Sequence, residues 1–278
     1  MSDKDDLKQQ MASFEAARIA RPANLAPAVI KGVVAVHDGT DQDATVDALA
    51  QAIAQRSGAR QTTLAAPSGP DVDPLPAMLG AAGEGDVIVV PSPFGRDYQA
   101  EGQLSLSTTI DLLLAKSKAA VCVARAPVAD AAACVARPVV GLQIDRHRKV
   151  AATAMALAMA KDGGELLLLS TVDPHTAIED EELLARRFDP RDMSPEILTG
   201  LASARAAALT ADLQKHAGEW HVEPRVQFAI GDTVELLLEA NEERGGLLVA
   251  GRDRDPRSEE AQRAHRLILS SRWPVLLV

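Results

Sequence analysis

The stretch Asp86-Val-Ile-Val-Val-Pro-Ser-Pro-Phe-Gly-Arg-Asp97 decides how the rest of the chain is read. An apolar run of strand length feeds a Pro/Gly turn. A polar loop and a helix-like run over Ser107–Lys116 follow, and then a second apolar run, Ala120-Val-Cys-Val-Ala124. Strand, loop, helix, strand is the pattern of a parallel crossover, and such crossovers place ligands where a strand's C-terminal end meets a helix N-terminus. The end of the chain repeats it: Gly246-Leu-Leu-Val-Ala-Gly-Arg-Asp253, a charged loop and helix, then Trp273-Pro-Val-Leu-Leu-Val278.

Working outward, Val33–Val36 reads as a strand ending in His37-Asp38-Gly39-Thr40. Val46, Leu49, Ala50 and Ile53 then give one apolar helix stripe, with Asp41 as its expected N-cap and Gly58 as its stop. Thr62–Ala66 is a strand, and Pro67–Pro76 is loop by its breakers. Leu75–Ala82 makes a short helix at most. Pro127–Arg137 reads as a connector, after which the pattern restarts: strand Val139–Ile144 ending in Asp145, a helix striped by Ala151, Ala154, Met155 and Ala158, and strand Leu166–Leu169. Asp173–Pro195 is a charged, proline-bearing insertion, and Pro195–Ala217 a long helix. Strand Val222–Ile230, helix Thr233–Glu243, strand Leu247–Ala250, helix Glu259–Ser270 and strand Pro274–Val278 finish the chain. Strands alternating with helices imply parallel sheets covered on both faces. The expected fold is therefore α/β, as two tandem doubly wound, Rossmann-like domains rather than one long sheet. The first is shorter by one helix–strand unit, because only about twenty residues separate Ala66 from Val87. The divisions are 1–30 (an appendage with Leu7, Met11, Phe14 and Ala17 at helical spacing), 31–127, the connector 128–137, and 138–278.

The chain has 278 residues and a formal net charge of -10, which argues against nucleic acid or an anionic membrane as a partner. The sequence lacks a long apolar run and a signal-peptide start, and its two cysteines suit a reducing compartment, so a cytoplasmic location is expected. Neither Gly-x-x-x-x-Gly-Lys-Ser/Thr, nor Gly-x-Gly-x-x-Gly, nor Gly-x-Ser-x-Gly occurs, so P-loop, dinucleotide and hydrolase chemistry lose their usual residues. The six histidines show no metal-ligand spacing, and no metal or catalytic set is assigned.

The strand ending Val36-His-Asp-Gly-Thr40, the Val87-Ile-Val-Val90 strand before a glycine-bearing loop, and the closing Ala120-Val-Cys-Val123 strand together resemble a universal stress protein domain. So do Gln143-Ile-Asp145, Gly231-Asp-Thr-Val-Glu-Leu-Leu-Leu-Glu-Ala240, Gly245-Gly-Leu-Leu-Val-Ala-Gly251 and Arg272-Trp-Pro-Val-Leu-Leu-Val278. The resemblance spans about residues 30 to 278 as a tandem pair. It implies a five-stranded parallel sheet per domain and a non-enzymatic role in stress response or signalling. In one subset of the family it also implies ATP held by an acidic residue after the first strand and a Gly-x-x-Gly-(nine residues)-Gly-Ser/Thr loop after the fourth. Glycines there let backbone N–H groups approach phosphate.

Carried over residue by residue, Asp38 takes the acidic position, with Gly39 and Thr40 beside it, and is expected toward the adenosine. Ser92-Pro-Phe-Gly95 stands for Gly-x-x-Gly, keeping only the second glycine. Counting back from the last strand puts Ser107-Thr108 at Gly-Ser/Thr, whereas counting forward from Gly95 reaches Ser105-Leu106. Ser105, Ser107 and Thr108 are then phosphate donors, or else Ser107 and its neighbours simply cap a crossover helix. In the second half Asp145 and Gly251 match, Arg252 follows, and Arg254 replaces the second glycine, which reads as a lost cradle. The last strand is commonly the pairing edge in this family, so Ala120–Ala124 and Pro274–Val278 are the expected contacts of a dimer. The competing expectations are a nucleotide-independent module that binds protein partners, and an adenine-nucleotide-using α/β enzyme.

Overall fold

The computed structural model describes residues 26–66, 72–95, 106–125, 127–142, 146–172, 211 and 213–278. The expected N-terminal helix, Ser105, Gln143–Asp145, the insertion Asp173–Pro195 and most of the helix expected over Pro195–Ala217 lie outside the described residues; 213–220 are helical.

The first half of the chain forms β1 (Gly32–His37), α1 (Asp43–Ser57), β2 (Arg60–Ala65), α2 (Leu75–Ala81), β3 (Asp86–Pro91), α3 (Thr108–Lys116) and β4 (Ala120–Ala124). The short α4 (Ala131–Val135) follows. The second half forms β5 (Val139–Leu142), α5 (Arg146–Ala160), β6 (Glu165–Val172), β7 (Glu223–Ile230), α6 (Thr233–Glu242), β8 (Leu248–Ala250), α7 (Glu259–Ser270) and β9 (Val275–Leu277). Helix α1 ends as its sequence requires, with Gly58 in the left-handed region (φ 72°). Its start differs from expectation: the N-cap is Gln42, with no side-chain cap bond, and not Asp41. Asp43 instead turns back, its carboxylate accepting from the Asp38 and Gly39 amides at 3.1 Å each.

One correction concerns the sheet. Two separate sheets were expected, but the strands form one nine-stranded sheet, in the order β2-β1-β3-β4-β9-β8-β5-β6-β7. All neighbours are parallel except β4 and β9, which meet antiparallel in the register Val121↔Leu277, Cys122↔Leu276 and Val123↔Val275. All six of these residues are fully buried. Short, apolar β4 and β9 would each leave a row of unpaired N–H and C=O groups if the halves stood apart, and pairing them removes both edges. The expected use of the last strands as a dimer contact is corrected for the same reason. Each already has a strand on both sides, so neither is open to a second copy. The outer strands are β2 and β7.

Both halves wind alike. Around β1 lie β2 and β3, then β4; around β5 lie β6 and β8, then β9, with β7 added beyond β6. Among the described residues the first half contributes four strands and the second half five. Two apolar layers cover the sheet. One gathers α1, α4 and α5 against residues such as Val33, Val89, Leu168 and Leu276; the other gathers α2, α3, α6 and α7 against Val34, Val90, Leu167 and Leu277. The alternation along each strand is the period-2 burial of a sheet covered on both faces. The connector carries α4, whose Cys134 and Val135 are buried in the first layer. Its close approach to the loop before β8 needs Gly246, where a Cβ would stand 1.8 Å from the Arg137 carbonyl oxygen.

Candidate functional site

Because β4 and β9 are antiparallel, the C-terminal ends of β1 and β3 face one edge of the molecule and those of β5 and β8 the opposite edge. The first-half crevice is built from the turn after β1 and the turn after β3. Asp38 organises it. One carboxylate oxygen accepts from the Thr40 amide (3.1 Å) and hydroxyl (2.7 Å), closing a tight side-chain turn. The other oxygen accepts from the Gly95 amide at 2.6 Å, across to the second turn. Asp38, expected toward the adenosine, accepts from the amide of the very glycine that the resemblance gives to phosphate. Gly95 is exposed and sits at φ 73°, a conformation that glycine adopts without strain. Its amide is held by an oxyanion, which is the chemistry required of a phosphate donor.

Behind these turns the crevice floor is buried. Ser92 is fully buried, its amide donating to the Ala124 carbonyl (2.8 Å), while its hydroxyl has no hydrogen-bond partner. Gln42 is 4% exposed and lies against it. With its amide nitrogen turned toward the acceptors, it donates to the Ser92 and Ala124 carbonyls at 3.1 Å each. Gln42 therefore ties the start of α1 to the ends of β3 and β4. Sequence reasoning passed over it, and the only signal was a polar residue beside a helix start.

Ser107 and Thr108 begin α3. Ser107 is the N-cap, its hydroxyl accepting from the Ile110 amide at 3.5 Å. Its backbone sits at φ 77°, ψ 149°, a region almost reserved for glycine. The backward count had placed the glycine of the Gly-Ser/Thr pair at this position, so the backbone keeps a glycine's geometry under a serine side chain. Thr108 follows, exposed, at the first helical position.

The second-half residues are placed otherwise. Arg252 and Ser92 occupy corresponding places: the Arg252 amide donates to the Val278 carbonyl (3.0 Å) as Ser92's does to Ala124. This shifts the correspondence by one residue, so Arg252 rather than Gly251 stands opposite Ser92. The guanidinium of Arg252 turns into the first half and donates to the carbonyls of Leu114 (2.9 Å), Ser117 (3.0 Å) and Ala119 (2.6 Å). It thereby satisfies carbonyls at the C-terminal end of α3, where the helix dipole favours a cation. Burial, with a smaller contribution from Arg254, pushes its pKa down to about 10, which still leaves it charged at neutral pH. Arg125, 2% exposed, acts in the opposite sense and donates to the Ile268 and Leu269 carbonyls at 2.8 and 2.6 Å at the end of α7. Arg254 is exposed. Asp253 and Asp255 accept backbone amides of their own loop. Ser258 caps α7 by accepting from the Ala261 amide at 3.1 Å. The second half thus has the same strand end and capped helix, but its strand-end side chain is structural.

A further repeat was not legible from the family pattern. Ser117 ends α3, accepting from the Ala119 amide and donating to the Ala119 carbonyl; Ser271 ends α7 with the same two bonds to Trp273. Both serines lie five residues before the paired strand centres Cys122 and Leu276. Among the described residues no group of three or more His, Cys, Asp or Glu is placed to hold a metal, and no helix is long and apolar enough to cross a membrane.

No family model matches the sequence, and no curated protein matches it. Solved structures do match in fold. A universal stress protein from Archaeoglobus fulgidus aligns over 91% of this chain and 97% of its own, with a TM-score of 0.58 and 14% identity. A chain assigned to the universal stress proteins from Pseudomonas aeruginosa aligns over 96% of this chain and 87% of its own, with a TM-score of 0.50 and 12% identity. Identities this low establish the fold: a mostly parallel α/β sheet of the universal stress type.

Proposed function

We propose that this chain is a tandem universal-stress-type protein, with a shortened first domain (31–127) and a full second domain (138–278), that acts without catalysis in stress response or signalling. Its ligand site is the crevice between the ends of β1 and β3, and its ligand an adenine nucleotide. The twin serine motifs at Ser117 and Ser271, and the antiparallel β4–β9 junction about Cys122 and Leu276, support the tandem reading. The observation that carries the ligand reading is Ser107: a serine held in a glycine's backbone geometry at the N-terminus of α3, facing the same edge as the Gly95 amide. A strained backbone of this kind costs about 1–3 kcal/mol and collects at ligand sites. Thr108 then supplies the hydroxyl, and Asp38 the acidic group, of the pattern.

Calorimetric titration of the full chain with ATP and with adenosine tests this reading. One saturable site per chain, weakened several-fold by Thr108→Val for ATP, supports it. Absence of binding by either compound favours the second reading, a protein-interaction module of the same fold. The use of Arg252 as a structural tie favours that second reading for the second domain, since the residue that would meet a ligand there is already bound to three carbonyls.

A further inference from the structure

Strand β7 reads Glu223-Pro-Arg-Val-Gln-Phe-Ala-Ile230 and is, among the described residues, an outer strand of the sheet. It runs parallel to β6 along its whole length, from Glu165↔Glu223 to Val172↔Ile230. The Glu223 amide donates to the Gly164 carbonyl, just before β6, at 3.0 Å. Backbone groups point to alternate sides along a strand. The amides of Arg225, Gln227 and Ala229 therefore also face β6, and those of Val226, Phe228 and Ile230 face outward. We propose that this outward edge is where a second copy of the chain adds its own β7, antiparallel, about a two-fold axis at Phe228. The proposal goes beyond the ligand site and does not depend on it.

The two outer strands differ in how they are guarded. Charge, proline and short length are what keep an edge from pairing. Strand β2, Arg60-Gln-Thr-Thr-Leu-Ala65, is six residues long and mostly polar. Strand β7 has eight residues, and its guards sit only at its start: Pro224, which has no N–H to offer outward, and the Arg225–Glu223 pair at 2.8 Å. From Val226 to Ile230 there is neither charge nor proline, and Phe228 and Ile230 are 47% and 38% exposed. The outward donors and the apolar side chains belong to the same residues. Val226 packs on the first apolar layer, and Phe228 and Ile230 share its face by alternation. This edge is also complementary to itself. With Phe228 opposite Phe228 of the second copy, Val226 meets Ile230 and Ile230 meets Val226. Every outward donor from Val226 onward then finds a carbonyl, and two aromatic side chains form a cross-strand pair. A register centred on Gln227 sets Pro224 opposite Ile230 and leaves a carbonyl without its donor. The chain already joins two apolar strands antiparallel in this way, at the β4–β9 junction. One strand edge is small beside the contact of a permanent dimer, so a reversible dimer is expected, populated above about 50 µM.

Sedimentation equilibrium of the full-length chain between about 5 and 300 µM tests this. The expected result is a monomer–dimer equilibrium whose dissociation constant rises at least about tenfold in Phe228→Lys. It should stay within about twofold in Thr62→Lys, which puts the same charge on the other outer strand. Circular dichroism checks that both variants are folded. A wild type that stays monomeric at the highest concentration, or a dimer that Phe228→Lys leaves intact, overturns the proposal. A monomer whose Val226, Phe228 and Ile230 amides exchange slowly also overturns it, and assigns the edge to the chain's own residues 173–210. If Phe228→Lys does not fold, cross-linking decides. Opposed residues of such a pair stand about 5.5 Å apart, within reach of a disulfide, so Phe228→Cys should link two chains in oxidised glutathione. Gln227→Cys, which falls opposite Ala229, should not. The native Cys122 and Cys134 are buried and do not compete. No link through Phe228→Cys, or an equal one through Gln227→Cys, overturns the proposal.

Discussion

Arg252, at the end of β8, donates its Nη1 hydrogen to the carbonyl oxygen of Leu114, in the last turn of α3, at 2.9 Å. With Ser117 and Ala119 as further acceptors, one side chain of the second half closes a helix end of the first. Arg125 closes α7 from the other side. The halves are therefore held by the β4–β9 junction and by two arginine ties above and below it. Replacing Arg252 with alanine leaves three carbonyls without their donor at a half-buried site. A loss of about 2–4 kcal/mol in urea-unfolding stability is expected. Arg252→Lys should recover only part of that, because an ammonium does not match the planar fork that reaches three acceptors.

A second prediction concerns Asn241. Its side chain is fully buried, donating to the Gly246 carbonyl and accepting from the Gly246 amide at 2.9 Å each. Asn241→Ala strands both backbone groups in the interior, so a loss of about 2–4 kcal/mol is expected by chemical denaturation. Asn241→Asp keeps the acceptor and loses the donor, and should cost at least as much because it buries a charge.

Gly246 itself permits no side chain. A Cβ 1.8 Å from the Arg137 carbonyl oxygen cannot be relieved by a rotamer change, since the obstacle is backbone. Gly246→Ala is expected to cost more than about 3 kcal/mol, or to abolish soluble expression. Gly218, where an added Cβ meets nothing within 4 Å, is the control and should tolerate alanine.

Ser107 supplies a prediction of the opposite sign. Glycine enters φ 77°, ψ 149° without the serine's steric cost. Ser107→Gly should leave stability unchanged or raise it by up to about 1 kcal/mol in thermal or urea unfolding. Ser107→Val, β-branched at a positive φ, should lower it by about 1–3 kcal/mol.

Much of this architecture is legible in the sequence because it rests on local rules. Val87–Val90 and Leu166–Leu169 are apolar on successive residues because both sheet faces are covered, and Gly58 marks the end of α1 because only a left-handed residue fits there. The capping of α3 at Ser107 follows from its side chain. What escaped were long-range pairings. Cys122 and Leu276 meet across more than 150 positions, and nothing in either strand specifies its partner. Asp38 was expected at the acidic position of the family pattern, but its tie to Gly95 depends on how two turns approach in space. Arg252 looked like one charge of a solvated loop, since a sequence shows the charge of an arginine without the carbonyls it will meet.

The central claim is that Gly95, at the end of β3, belongs to a ligand site. The most direct measurement is the backbone amide resonance of Gly95 in the isotopically labelled full chain, followed through a titration with ATP. The account predicts that this resonance shifts saturably with ATP, together with that of Thr108. A titration to high ATP concentration in which Gly95 and Thr108 do not move, whether or not other resonances do, would contradict it.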